Sequence, residues 1–172
     1  MTRLVLDILI DDERWQRITR LRPRLKNAAE VAFMNLPKTL RIFCDLTVLL
    51  TDDASIRRLN RDFRGIDKPT NVLSFPQYTA TQLTKKVKTG WVMHAGDIAL
   101  GYQYVVGEAK RDNKILINHT IHLLIHGLLH NFGYDHRSGA GAARMERLEK
   151  KIMATLGLPD PYVSQPKEPK AR

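Results

Sequence analysis

The sequence predicts an α+β protein: a small mixed β-sheet of about four strands packed against five or six helices, with a central, buried, histidine-bearing helix. Three observations lead there. Segments of strand character are interspersed with helical ones in irregular order, which argues against a doubly wound sheet. The segment 115–131 is apolar nearly all round and so belongs in the middle of the molecule. At 172 residues and 43% hydrophobic content, the chain suits a single domain with one core. The expected division is one domain over residues 1–158 and a flexible, basic, proline-containing tail over 159–172.

The elements follow in order. Residues 4-LVLDILID-11 alternate well enough for a strand. A helical pattern runs from about 12 to 36, broken by Pro23. Proline is tolerated only in a helix's first turn, so a short turn should precede a helix starting near residue 23. Leu25, Ala28, Ala29, Ala32, Phe33 and Leu36 would form its buried stripe. The β-rich run 40-LRIFCDLTVLLT-51 reads as a second strand. A helix over 53–63, capped by Asp52 or Asp53, would turn Ile56, Leu59 and Phe63 inward. The segment 64-RGIDKPTNVLSFPQ-77 opens with a turn and carries a short strand at Val72–Phe75, which Pro76 ends. The polar, lysine-rich residues 77–90 read as a mobile loop. A further strand is expected at Asp97–Leu100, then helices over 102–112, 115–131 and 139–156. From Gly157, with Pro159, Pro161, Pro166 and Pro169, the chain reads as frayed.

The net charge is +10, from 28 basic and 18 acidic residues, which favours a polyanionic partner through attraction and counterion release. The single cysteine, Cys44, excludes an internal disulfide and sits in an apolar strand, where it reads as a buried structural thiol. No apolar run approaches the roughly 20 residues of a membrane helix, and the N-terminus lacks a signal-peptide pattern. A cytoplasmic location with no membrane partner is the expectation.

His119, His122, His126 and His130 follow at steps of three, four and four, on one face of the apolar helix. Residues four apart can grip one metal from adjacent turns. Gly133 can take a left-handed conformation, end the helix and let His136 fold back beside its last turn. His136 would then reach a metal held by His126 and His130, but hardly one held by His122, which lies about 12 Å below His130 at about 1.5 Å per residue. The expected ligands are therefore His126, His130 and His136. His119 and His122 are left to packing or to supporting the ligands. Three neutral imidazoles leave a fourth position open, the pattern of a catalytic Zn²⁺ site; one ion per chain is expected, with other divalent metals as substitutes. Zinc proteases of the HExxH type need a glutamate directly after the first histidine, and here that residue is Gly127. Protease chemistry therefore fails. A cationic centre with no carboxylate ligand suits an anionic substrate, and with the basic surface that points to phosphate esters.

The pattern 126-HGLLHNFGYDH-136 resembles the YbeY family of bacterial endoribonucleases, linked to ribosomal RNA maturation. So do 59-LNRDFRGIDKPTNVLSFP-76, 96-GDIALG-101 and 146-ERLEKKIMATLGLPDPY-162, in the same order and approximate spacing. The chain departs from the family pattern at Asn131, at the basic segment 137–147 and in the lysine-rich stretch 77–90; none of these touches an expected ligand. The resemblance implies a metal-dependent enzyme cutting single-stranded RNA, with ribosomal RNA and the ribosome as partners and roles in small-subunit rRNA maturation and ribosome quality control. It assigns the three motif histidines to the metal and marks Arg64 as functionally important. A guanidinium can pair two phosphate oxygens at once; read without the family, Arg64 is a turn-stabilising surface residue. Lys68, Thr70 and Ser74 are candidate substrate contacts. Asp135 either orients a ligand histidine or caps a helix end. Two other classes stay open: a ribosome-associated assembly factor with a mainly structural zinc, and a metal-dependent hydrolase of another substrate. Oligomeric state is not legible.

Overall fold

The structure is a computed structural model in which residues 3–41, 43–86 and 93–163 are described. Four strands, β1 (Leu4–Ile10), β2 (Cys44–Thr51), β3 (Val72–Pro76) and β4 (Met93–Gly101), form one sheet in the order β1-β2-β4-β3. β1 pairs with β2 and β2 with β4 in parallel, while β3 runs antiparallel to β4. The described helices are α1 (Leu21–Met34), α2 (Asp53–Arg64), α3 (Ala80–Lys86), α4 (Tyr102–Arg111), α5 (Leu116–Asn131) and α6 (Gly139–Thr155). The α+β class and the mixed sheet are as the sequence predicts.

Strand alternation sorts the core into two. On β2, Cys44, Leu46, Val48 and Leu50 are buried in the main cluster, together with the apolar faces of α1 and α5. On the opposite face, Ile56 of α2 packs with Leu73 and Ala99 in a smaller cluster. α1 buries Leu25, Ala28, Ala29, Ala32 and Phe33, with Leu36 just beyond its end. Pro23 stands in its first turn, so the helix starts at Leu21 without conflict. Cys44 is 1% exposed, and burial with the neighbouring Asp45 charge pushes its thiol up to about 12. It is a packing residue.

Several expectations need correction. Phe63 does not face inward: it is 66% exposed, near the end of α2, where its ring meets Phe75 edge-on at 5.2 Å. The stretch 77–90 is not simply a loop. Thr79 and Gln82 form a reciprocal capping box, Thr79 N to Gln82 Oε1 (2.9 Å) and Gln82 N to Thr79 Oγ1 (3.3 Å). Leu83, 1% exposed, anchors the helix that follows; residues 87–90 lie outside the described residues. β4 begins at Met93, earlier than expected, because β2 offers partners to Met93 and His94 across a register shift between Asp45 and Thr47. β2 itself begins at Cys44, and residues 38–40 form a 3-10 turn. Pro76 is the last residue of β3 rather than the one beyond it, a position that an edge strand tolerates. Of the segment assigned to the tail, Pro161 is buried and Tyr162 donates a hydrogen bond to Glu149 on α6. Residues 164–172 lie outside the described residues.

Candidate metal centre

α5 carries apolar side chains around most of its circumference, so it is gripped by α1, the sheet, α4 and α6. Such a helix holds its histidines rigidly. At its end Gly133 adopts φ 87°, the left-handed conformation that its sequence position called for. Gly133 N donates to His130 O at 3.0 Å and Tyr134 N to Leu129 O at 3.0 Å. The chain turns back, and His136 comes to lie 4.8 Å from His130 and 5.5 Å from His126, ring centre to ring centre.

One nitrogen from each of His126, His130 and His136 lies within 4.8 Å of the other two. The other ring nitrogens show which face is turned to the centre. His126 Nδ1 is 2.6 Å from Glu149 Oε1, and His130 Nδ1 is 2.9 Å from Tyr134 O. Both acceptors are oxygen, so Nδ1 is the donor in each ring and the two Nε2 atoms carry lone pairs. Those Nε2 atoms face each other at 3.1 Å. Two lone pairs at that distance repel unless a cation lies between them. Tetrahedral Zn–N bonds of about 2.05 Å imply an N···N separation of about 3.3 Å, so the donor set fits such an ion. Burial, then the neighbouring His126 and His136 charges, pushes His130 down to about 4, which keeps it an unprotonated donor at neutral pH.

Glu149 was missed by the sequence reading. It is fully buried beside His126, with Tyr162 on its second oxygen, and His122 Nε2 3.7 Å away, close enough for charge attraction but not for a hydrogen bond. Burial alone would raise its carboxyl, but His122, His126 and Tyr162 together outweigh that and hold it at about 2. A signal was available: Met145, Glu149, Ile152 and Met153 share the buried face of α6, and a carboxylate on an apolar stripe needs a partner. His119 is likewise supported, by Glu108 at 2.8 Å, and neither it nor His122 joins the three-histidine cluster.

The three histidines open onto a cleft of about 730 Å³ that Arg64, Ser74, Asp135 and Arg137 also line. Arg64 ends α2, and one N–H of its guanidinium donates to Ser74 O at 2.7 Å, which leans the side chain over β3. Lys68 and Thr70 do not line the cleft. Lys68 contributes its backbone carbonyl to Asn60, and Thr70 Oγ1 donates to Asn71. Among the described residues Asp135 makes no hydrogen bond to a histidine of the cluster: its carboxylate accepts from Arg137 N at 2.8 Å, and Ser138 caps α6. Gly127 also has a steric reason. A Cβ there would stand 3.0 Å from Ile98 Cγ2 and 3.1 Å from Ser74 Oγ, so any side chain would press on Ile98 and Ser74.

Comparison with known proteins adds to this geometry. The family model described as Endoribonuclease YbeY matches residues 9–157. A protein of Nitrobacter hamburgensis named Endoribonuclease YbeY is 42% identical over 159 residues, covering 92% of this chain and 82% of that protein. One of Rhodopseudomonas palustris with the same name is 41% identical over 168 residues, covering 96% and 98%. Among solved structures, the solution structure of a Thermotoga maritima protein superposes with a TM-score of 0.59 at 23% identity, over 98% of this chain and 100% of that one. At that identity the likeness speaks for the fold alone.

Proposed function

The chain belongs to the YbeY endoribonuclease family, and we propose that it is a metal-dependent enzyme that cuts single-stranded RNA in the cytoplasm. Its place would be the maturation of small-subunit ribosomal RNA and ribosome quality control. The observation that carries the reading is the placement of Arg64 and the three histidines on the walls of one cleft. A net charge of +10 favours the RNA backbone, and the centre itself has no carboxylate ligand to repel a phosphodiester.

His126, His130 and His136 would hold one Zn²⁺, which when bound supplies Lewis acidity toward the scissile phosphoryl group. The remaining work belongs to the chain. Glu149 fixes His126 with Nε2 turned to the centre, and Tyr134 O does the same for His130. Arg64, anchored on Ser74 O, has further N–H donors with which to grip phosphate oxygens and stabilise charge that grows on them. Ser74 Oγ is a candidate hydrogen-bond donor on the same wall.

The test is cleavage of a labelled single-stranded RNA from the small-subunit 3′ region by zinc-loaded protein, beside folded His130→Ala and Arg64→Ala. Loss of about 100-fold or more in each variant is expected, the scale of removing one preorganised charge-stabilising group. Equal cleavage in all three would overturn the reading.

A further inference from the structure

Across His126 from the metal cleft lies a second cavity of about 290 Å³. The two share Asn71, Val72 and His126 as a common wall. The rest of its lining is of two kinds. Leu123, Pro161 and the Tyr162 ring are apolar, and Glu108, Asp112, Lys114, His119 and His122 are polar or charged.

The polar groups are unusually placed. His122 is 9% exposed, and neither of its ring nitrogens has a hydrogen-bond partner among the described residues; His119 is 6% exposed, and its Nδ1 also lacks one. These nitrogens are buried from solvent, and His122 Nε2 faces Glu149 Oε1 at 3.7 Å, so the two imidazoles belong to the wall of the cavity and a ligand's polar edge would meet Glu108 instead. Glu108 is pre-aimed. Asn71 Nδ2 donates to both its oxygens at 3.2 and 3.0 Å, and His119 Nε2 lies 2.8 Å from Oε2. Each carboxylate oxygen accepts more than one hydrogen bond, so acceptor capacity remains.

These features select a ligand class. Glu108 and Asp112 stand in the lining against Lys114, so its fixed charges leave a net negative balance that disfavours a free phosphate. The three-histidine cluster does not extend to His119 or His122, so no second metal is indicated among the described residues. A flat heterocycle fits. Its faces meet Pro161, Leu123 and the Tyr162 ring, and its edge carries donors for Glu108. His122 lies one helical turn from His126, ring centres 6.4 Å apart, a span that one nucleotide covers.

We propose that this cavity is a base pocket. It takes a nucleobase bearing an exocyclic amino group, from the nucleotide next to the phosphate at the three-histidine centre, with Glu108 accepting from the amino group. Adenine, cytosine and guanine carry that group and uracil does not. The pocket therefore discriminates against uridine at one position beside the cut, in the way that a site built to bond an N–H rejects an analogue lacking it. The inference rests on the RNA-cleaving reading for its place in catalysis, but its ligand is testable without cleavage.

The experiment has two arms. Imidazole resonances of His119 and His122 are followed by NMR in the full chain during titration with cytidine or uridine monophosphate. Cytidine should shift both at concentrations where uridine shifts neither; equal shifts with both, or none with either, overturn the pocket. In the second arm a single uridine is moved through an otherwise cytidine-rich oligonucleotide. One position within a nucleotide of the cut should lose about tenfold or more in kcat/KM, the scale of one charge-assisted hydrogen bond. Glu108→Gln, which can offer an amide N–H to uracil, should reduce that loss. Leu123→Phe, which fills the cavity and leaves the polar network alone, should reduce cytidine's advantage. No positional effect in wild type overturns the proposal. If no RNA is cleaved but cytidine still occupies the pocket, the nuclease reading fails and the pocket stands.

Discussion

Glu149 shows how much one side chain decides. It sets the tautomer of His126 through a 2.6 Å contact and is itself fully buried. Glu149→Gln keeps the volume but weakens the acceptor, so metal affinity should fall about 10–100-fold, the range for partners of ligand histidines, as read by competition with a chromogenic chelator. An unchanged affinity would mean that the helix alone orients the ring. Gly127 makes the opposite point. A Cβ would stand 3.0 and 3.1 Å from Ile98 and Ser74, so Gly127→Ala sets an overpacking cost against the roughly 1 kcal/mol of helix propensity that Ala gains, and chemical denaturation should show a net loss of about 1 kcal/mol. The lack of a protease base was legible from the sequence; the close approach of Ile98 and Ser74 to that position was not.

Among the elements, α5 was the easiest to read. Its apolar circumference and histidine spacing fixed its length, depth and ligand face, and Gly133 fixed its end. α3 was harder, because polar residues dominate 77–90 and a seven-residue helix has little periodicity to show. Its capping box, 79-TATQ-82, was the visible clue. β4 was read short because its first residues are held by partners far away in sequence. There His94 bridges two strands, Nδ1 to Asp45 at 2.5 Å on β2 and Nε2 to Asp97 at 3.1 Å on its own. Burial pulls its pKa down, but the bond to Asp45 and the charge of Asp97 outweigh that and raise it. A raised histidine adds stability that is fully present below its unfolded value of about 6.5 and is lost as pH rises through the folded value. Wild type should therefore melt above His94→Gln below pH 6.5, with the gap closing on the alkaline side. A gap that is constant across that range would show that the bridge contributes only neutral hydrogen bonds.

At the scale of the molecule, the main core is built from apolar side chains of β1, β2, β4, α1, α5 and α6, and the three clustered histidines lie at its edge, half-buried or exposed. Chelation should accordingly leave a cooperatively folded protein with a lower Tm and no cleavage. Loss of the near-UV circular dichroism signal on chelation would instead mark the metal as structural and favour an assembly factor over an enzyme. No helix among the described residues is long and apolar enough to cross a membrane. The charge of +10 makes RNA affinity salt-dependent, with a slope of about −0.7 for each phosphate contacted, measurable by anisotropy between low and physiological salt.

By itself the sequence determined the α+β class, the buried helix, the three clustered histidines and the exclusion of protease chemistry. Each of these follows from local periodicity or from spacing within a few turns, where geometry is set by about 1.5 Å per residue and by a glycine that ends the helix. Tertiary structure alone decided that Glu149 and Tyr162 stand behind the three-histidine cluster, that Arg64 leans over β3 into the histidine cleft, and that Phe63 faces solvent. Those placements depend on how α2, α6 and the edge strand meet across long sequence separations, and no periodicity within a segment records what another segment brings to it.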